Sequence, residues 1–247
     1  MRTANPALNA RTFEGFGHVA ASGDVMTIQG TVNKTGFLLL FLVISALWTW
    51  KAYYTAGPGA VLPWMAAGAI GGFVFALLTV FKKQWAGVTA PVYALLEGLF
   101  LGGLSAILEG RFHGIVIQAV CLTFGTLFFL LMAYKSGAIR ATENFKLGVV
   151  AATGGIFLIY LFTWLLGIFG VNIPYIHSSG LVGIAFSVFV VIVAALNLVL
   201  DFDFIENGSE KGAPKYMEWY AAFGLMVTLV WLYVEILRLL VKLRERK

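Results

Sequence analysis

Three carboxylic acids lie well inside long apolar stretches of the sequence: Glu97, Asp201 and Glu235. An ionised side chain at the centre of a bilayer costs about 3 kcal/mol or more, so an acid there is paired, hydrated or carried neutral. The chemistry open to such groups is narrow. They can bind and release a proton, hydrogen-bond between helices, or lend oxygen to a passing cation. Glu97 has Leu95, Leu96, Gly98, Leu99 and Phe100 around it and no basic residue at i±4. Nine residues beyond Val88, it lies ~14 Å along its stretch. It must stay neutral, face water or meet a partner on another helix. Asp201 closes the sixth stretch, with Asn197 one turn before it on the same helical face; Asp203 points elsewhere, since positions i and i+2 diverge. Asp203, Glu206 and Glu210 read as a solvated boundary and the loop that follows. Glu235 has Arg238 at i+3. Either the two pair locally, or the carboxyl faces inward while Arg238 snorkels to the interface.

The elements that must position these acids are membrane helices. Residues AVILMFWYC make up 60% of the 247 residues, charged residues 12%, and the mean hydropathy is +0.88. A soluble domain of this size cannot hide so much apolar surface. Stretches of about 20 residues, the length of a helix across ~30 Å of hydrocarbon, occur at 36–56, 61–81, 88–108, 114–134, 147–169, 180–200 and 219–241. Lipid offers an open backbone no partner, so each should be an α-helix. This divides the chain into an irregular, water-exposed tail (1–34), a seven-helix domain (35–241) and a basic tail (242–247), with no signal peptide. Within the first tail, Asp24–Val32 could form a short strand or an interfacial segment. Ten basic residues, Lys82, Lys83 and Lys146 among them, fall on the side of the N-terminus, against Lys51 and Arg111 opposite. The positive-inside rule then places the N-terminus in the cytoplasm. Seven spans leave Arg238, Lys242, Arg244, Arg246 and Lys247 on the wrong side.

Several catalytic classes are disfavoured. There is no His-Glu-x-x-His, no Gly-x-Ser-x-Gly and no nucleotide loop, and His18, His113 and His177 are scattered. The single Cys121 allows no intrachain disulfide. The basic balance belongs to loops and the tail, which argues for a membrane and not for nucleic acid. An enzyme and a resident cofactor are not expected.

The motifs resemble those of the Bax inhibitor-1 (transmembrane BAX inhibitor motif) family, in its bacterial branch. Val199-Leu200-Asp201-Phe-Asp-Phe-Ile205 is similar to that family's Y-D-x-x-x-I region, and Trp231-Leu-Tyr-Val-Glu235-Ile-Leu to its final L-Y-L-D-x-I motif. Val92-Tyr93 with Glu97-Gly98 resembles its third helix. Asn5-Pro6-Ala7-Leu8 and Gly30-Thr31-Val32-Asn33-Lys34-Thr35 look like its bacterial tail. The resemblance implies an all-α membrane protein in a bacterial inner membrane, with six helices around a central last helix. It also implies a pH-dependent calcium leak, in which carboxyls on helices six and seven share a proton and a basic latch ends helix two. By position these are Asp201, Glu235 and Lys82. Calcium would be the transported ion, held weakly and transiently by Asp201 and Glu235, since it takes six to eight oxygens. Glu97 would be a pore or helix-packing carboxyl. The sequence departs from the pattern in having Glu at 235 and a Lys, which is a point charge, at 82. Thirty-four residues also separate the two acids. Glu235 is sixteen residues beyond Trp219, ~24 Å along its helix, whereas Asp201 lies at the loop end of its own. They meet only if helix seven begins well into the cytoplasm or helix six extends less deeply; the long loop leaves room for this, and the two carboxyls are expected within direct or one-water hydrogen-bond reach in a closed state.

Two other classes compete. One is a non-transporting membrane protein that binds other membrane proteins or a membrane protease, its acids being packing features. The other is a proton-coupled transporter, for which Gly71-Gly72 and Gly102-Gly103 are the only candidate helix breaks.

Overall fold

A computed structural model describes residues 25–170 and 178–246. The described residues form seven α-helices: α1 Ile28–Ala56, α2 Pro58–Phe81, α3 Ala86–Arg111, α4 Ile115–Lys135, α5 Glu143–Ile168, α6 Leu181–Glu210 and α7 Met217–Glu245. All seven are long and apolar enough to cross a membrane. Large apolar side chains face outward, among them Ile70 (69% exposed), Phe129 (64%) and Trp164 (64%). Such a surface is stable only against lipid, and the chain is an integral membrane protein. The last helix is the most buried of the seven, over 56% of its most apolar stretch against 11% for α5.

Glycine and proline set the helix ends. Gly57, with φ +84°, ends α1, and Pro58 opens α2 where its missing N–H costs nothing. A 3-10 turn, Lys83–Trp85, joins α2 to α3. Thr142 caps α5 by accepting from the Phe145 amide at 3.3 Å.

Three boundaries differ from expectation. The first tail is not irregular throughout, for α1 starts at Ile28. Thr27 caps it by accepting from the Gly30 amide at 3.0 Å. The polar residues of this first turn and a half hide a helical stripe, Thr31, Thr35 and Leu38, that is buried. The strand considered for Asp24–Val32 shrinks to one bridge between Val25 and Pro214. The loop expected after Asp201 is mostly helix, because α6 runs to Glu210 and carries Glu206 within it. It stops at Gly212, φ +63°, whose amide bonds Ser209 O while the Ala213 amide bonds Gly208 O. This is the paired closure of a Schellman turn. The basic tail at 242–247 is likewise helical through Glu245.

The described residues fall into two compact units: 25–113 with 204–227, and 114–203 with 228–246. In the first, α3 packs on α1 through Gly98 and Gly102 and on α2 through Gly68. A methyl at Gly98 would collide with the Leu42 carbonyl, and one at Gly102 with the Ala46 carbonyl. Small residues let membrane helices approach to backbone contact, the main source of attraction between them. In the second unit α5 and α6 run antiparallel around Ile156, Val190 and Val193, with Trp231 of α7 packed against them.

Candidate functional site

The stripe of α5 that meets α6 reads Lys146, Val149, Thr153, Ile156, Tyr160, a spacing of three and four residues that keeps one helical face inward. Three of its five members are polar, and each is answered by a neighbour. Lys146 Nζ pairs with Asp203 Oδ2 at 2.9 Å and with Glu143 Oε1 at 3.4 Å. Asn197 Nδ2 donates to Thr153 Oγ1 at 2.9 Å and to the Val193 carbonyl at 2.8 Å. The Tyr160 hydroxyl donates to the Glu235 carboxylate at 3.2 Å and accepts from Arg238 Nη1 at 2.7 Å. Arg238 also pairs with Glu235 at 3.0 Å and lies over the Tyr160 ring, 5.2 Å from its centroid. At the far end Lys242 Nζ donates to Ser187 Oγ at 2.8 Å and to the Gly183 carbonyl at 3.0 Å, and Ser179 donates to Glu245 at 2.6 Å. Ionisable and polar groups thus form a file down the inside of this unit.

Asp201 is fully buried in α6, one turn beyond Asn197. The α5–α6 register fixes its level relative to Glu235. Asp203 meets Lys146, so Asp201 lies close to the level of Val149, whereas Glu235 meets Tyr160, fourteen residues beyond Lys146. Roughly 16 Å of helix separates the two levels, and no hydrogen bond joins the two carboxyls. The proton-sharing contact expected between the two carboxyls is therefore not formed, because the register of α5 against α6 holds Asp201 near one end of the helix pair while Tyr160 holds Glu235 far along it. Of the two arrangements open to Glu235, the local pair with Arg238 is formed, and Glu235 is also buried.

Asp203 is not a solvated boundary residue, since Lys146 takes it. Lys146 in turn is no loop residue but lies in the first turn of α5, only 3% exposed. Lys82 is exposed at the C-cap of α2, and its neighbour Lys83 lies over the Tyr220 ring at 5.7 Å. Glu97 is half-buried in the first unit and directs Oε2 at α2, where a methyl on Gly72 would sit 3.0 Å away. Glu97→Gln keeps size and hydrogen bonding and should change stability by less than about 1 kcal/mol, while Glu97→Lys drives a cation against α2 and should cost several. Thermal unfolding of the two purified variants in detergent measures this. Equal midpoints would show that Glu97 does not face α2.

A second polar centre, in the first unit, is built on an acid not singled out from sequence, although Gly30 and Lys34 of the tail motif belong to it. Glu218, in the first turn of α7 and fully buried, pairs with Lys34 and, at 2.8 Å, with Lys215. It also accepts from the Thr27 amide at 2.9 Å and the Thr27 hydroxyl at 2.8 Å. Gly30 leaves room for it, for a methyl there would land on the carboxylate and push it aside. The available signal was an acid placed three residues after Lys215 at the mouth of a span.

Among the described residues no cluster of three or more His, Cys, Asp or Glu forms a metal site. Seven membrane-length helices with ion pairs and hydroxyls aligned inside them define a polytopic membrane protein with a charged interior. Residues 5–245 match the family described as Bax inhibitor 1 like, and the chain belongs to that family. No curated protein and no solved structure gives a significant match.

Proposed function

We propose that the protein is a pH-sensitive cation leak that passes calcium, with its N-terminus in the cytoplasm of a bacterial inner membrane. The observation that carries this reading is the file of polar groups in the second unit, with a fully buried Asp201 at one level and Glu235 at another. Set at different levels, the two carboxyls do not share one proton but act in series along the path. Deprotonated, each offers oxygen to a cation and repels its neighbours from a closed packing. Protonated, each is neutral and the helices close. Loss of protons therefore opens the path, and flux rises with pH. Membership of the Bax inhibitor 1 like family fits a device of this kind.

Calcium entry into liposomes holding the purified protein, followed with an internal dye from about pH 5 to about pH 8, tests the reading. Uptake should grow as pH rises, and Asp201→Asn or Glu235→Gln should each flatten that dependence. Entry no faster than into empty liposomes at every pH overturns it. One observation favours a rival. Lys146 with Asp203, and Arg238 with Glu235, satisfy each other inside the fold, as packing features would. Absence of flux would thus favour a non-transporting protein that binds another membrane protein or a membrane protease.

A further inference from the structure

We propose that Lys146 is a tethered cation that stoppers the Asp203 end of the polar file. Lysine is almost never buried unless paired, yet Lys146 is 3% exposed. Local structure does not put it there, because the first turn of a helix carries the positive end of the dipole and disfavours a cation. Tertiary pairing holds it, through the two carboxylates of Asp203 and Glu143. Glu143 reaches to the surface with its side chain 69% exposed, and that of Asp203 is 14% exposed. The ammonium therefore lies at the boundary between outside and inside. The next residue inward on the α5 stripe is Val149, buried at the level of fully buried Asp201. An ion approaching Asp201 from this end meets a fixed positive charge that already occupies the carboxylate oxygens. Its passage requires the ammonium to leave Asp203, swinging on its own four-carbon stem. The consequence for flux rests on the leak reading above; the state of the stopper can be measured without it.

The measurement uses a thiol at the level behind the stopper. In a Cys121→Ser background, Val149→Cys is reacted with a charged, membrane-impermeant thiol reagent in protein reconstituted in liposomes and permeabilised so that both faces are reached. With Lys146 intact the reaction should be slow. Lys146→Met should speed it tenfold or more, and Lys146→Arg, which keeps the cation, should leave it slow. Should Lys146→Met not yield monodisperse protein, Asp203→Asn, which releases the ammonium from its nearer carboxylate, should give the same acceleration. Rapid reaction with Lys146 intact, or no acceleration in either neutral variant, overturns the proposal. Calcium flux through the same variants separates the two readings. Faster thiol reaction with no flux in any variant keeps the stopper and defeats the leak. Flux in the parent with no acceleration of the thiol introduced by Val149→Cys keeps the leak and defeats the stopper.

Discussion

Gly98→Ala should leave little folded protein. The added methyl would enter the space of the Leu42 carbonyl and the Ser45 hydroxyl of α1. A side chain could turn aside, but a main-chain carbonyl inside a helix cannot, so α1 and α3 would have to separate. Overpacking a tight core costs about 1–3 kcal/mol and more where backbone must move. Here the lost contact is itself the attraction between the helices, since lipid supplies no hydrophobic drive to press them together. A loss above about 3 kcal/mol is therefore expected. Gly102→Ala meets the Ala46 carbonyl and should behave alike. Gly148→Ala, with nothing within 4 Å of the new methyl, should behave as wild type. Thermal unfolding of the three variants in one detergent decides the matter. If Gly98→Ala melts with Gly148→Ala, the close α1–α3 packing is wrong.

Glu218→Ala should loosen the start of the first helix. It would leave the Lys34 ammonium, its side chain only 17% exposed, and the Thr27 amide without their shared acceptor. Removing one partner of a buried pair typically costs about 3–5 kcal/mol, because the other charge remains. Lys215, with its side chain 46% exposed, can turn to water and adds little. Glu218→Gln keeps an acceptor for Thr27 and should cost less than half as much. Hydrogen exchange should rise sharply over the first two turns of α1 in Glu218→Ala, while the centre of α3 stays protected. Unchanged exchange at Thr31 and Val32 would show that Glu218 does not hold this helix end.

The seven helices were legible because hydrocarbon thickness and backbone satisfaction leave so few solutions. The ends were less so. Residues 28–34 look like a tail because helix propensity in a polar turn is weak; what makes them helical is Glu218, far away in the chain. Asn207-Gly208-Ser209 looks like a loop, yet the chain waits for Gly212, where the left-handed conformation is used. The acids Asp201, Glu235 and Glu97 were visible because each is anomalous in an apolar run. Lys146 and Lys242 were hidden for the opposite reason. A lysine at the end of a span is ordinary in sequence, and only the register of α5 against α6, or of α7 against α6, reveals that it is buried. Tyr160 was hidden too, since an aromatic residue in a membrane helix needs no special account until a carboxylate is found on its hydroxyl.

The pairing of Glu235 with Arg238 bears on how the last helix enters the membrane. The two residues are one turn apart, so the pair can form as soon as that turn is helical, before any neighbouring helix is at hand. To the insertion machinery the segment then presents one compact dipole in place of two separate charges, each of which would cost about 3 kcal/mol at mid-bilayer. Whichever way the helix is oriented, the same contact that lines the interior of the fold lowers the cost of placing these two charges in hydrocarbon.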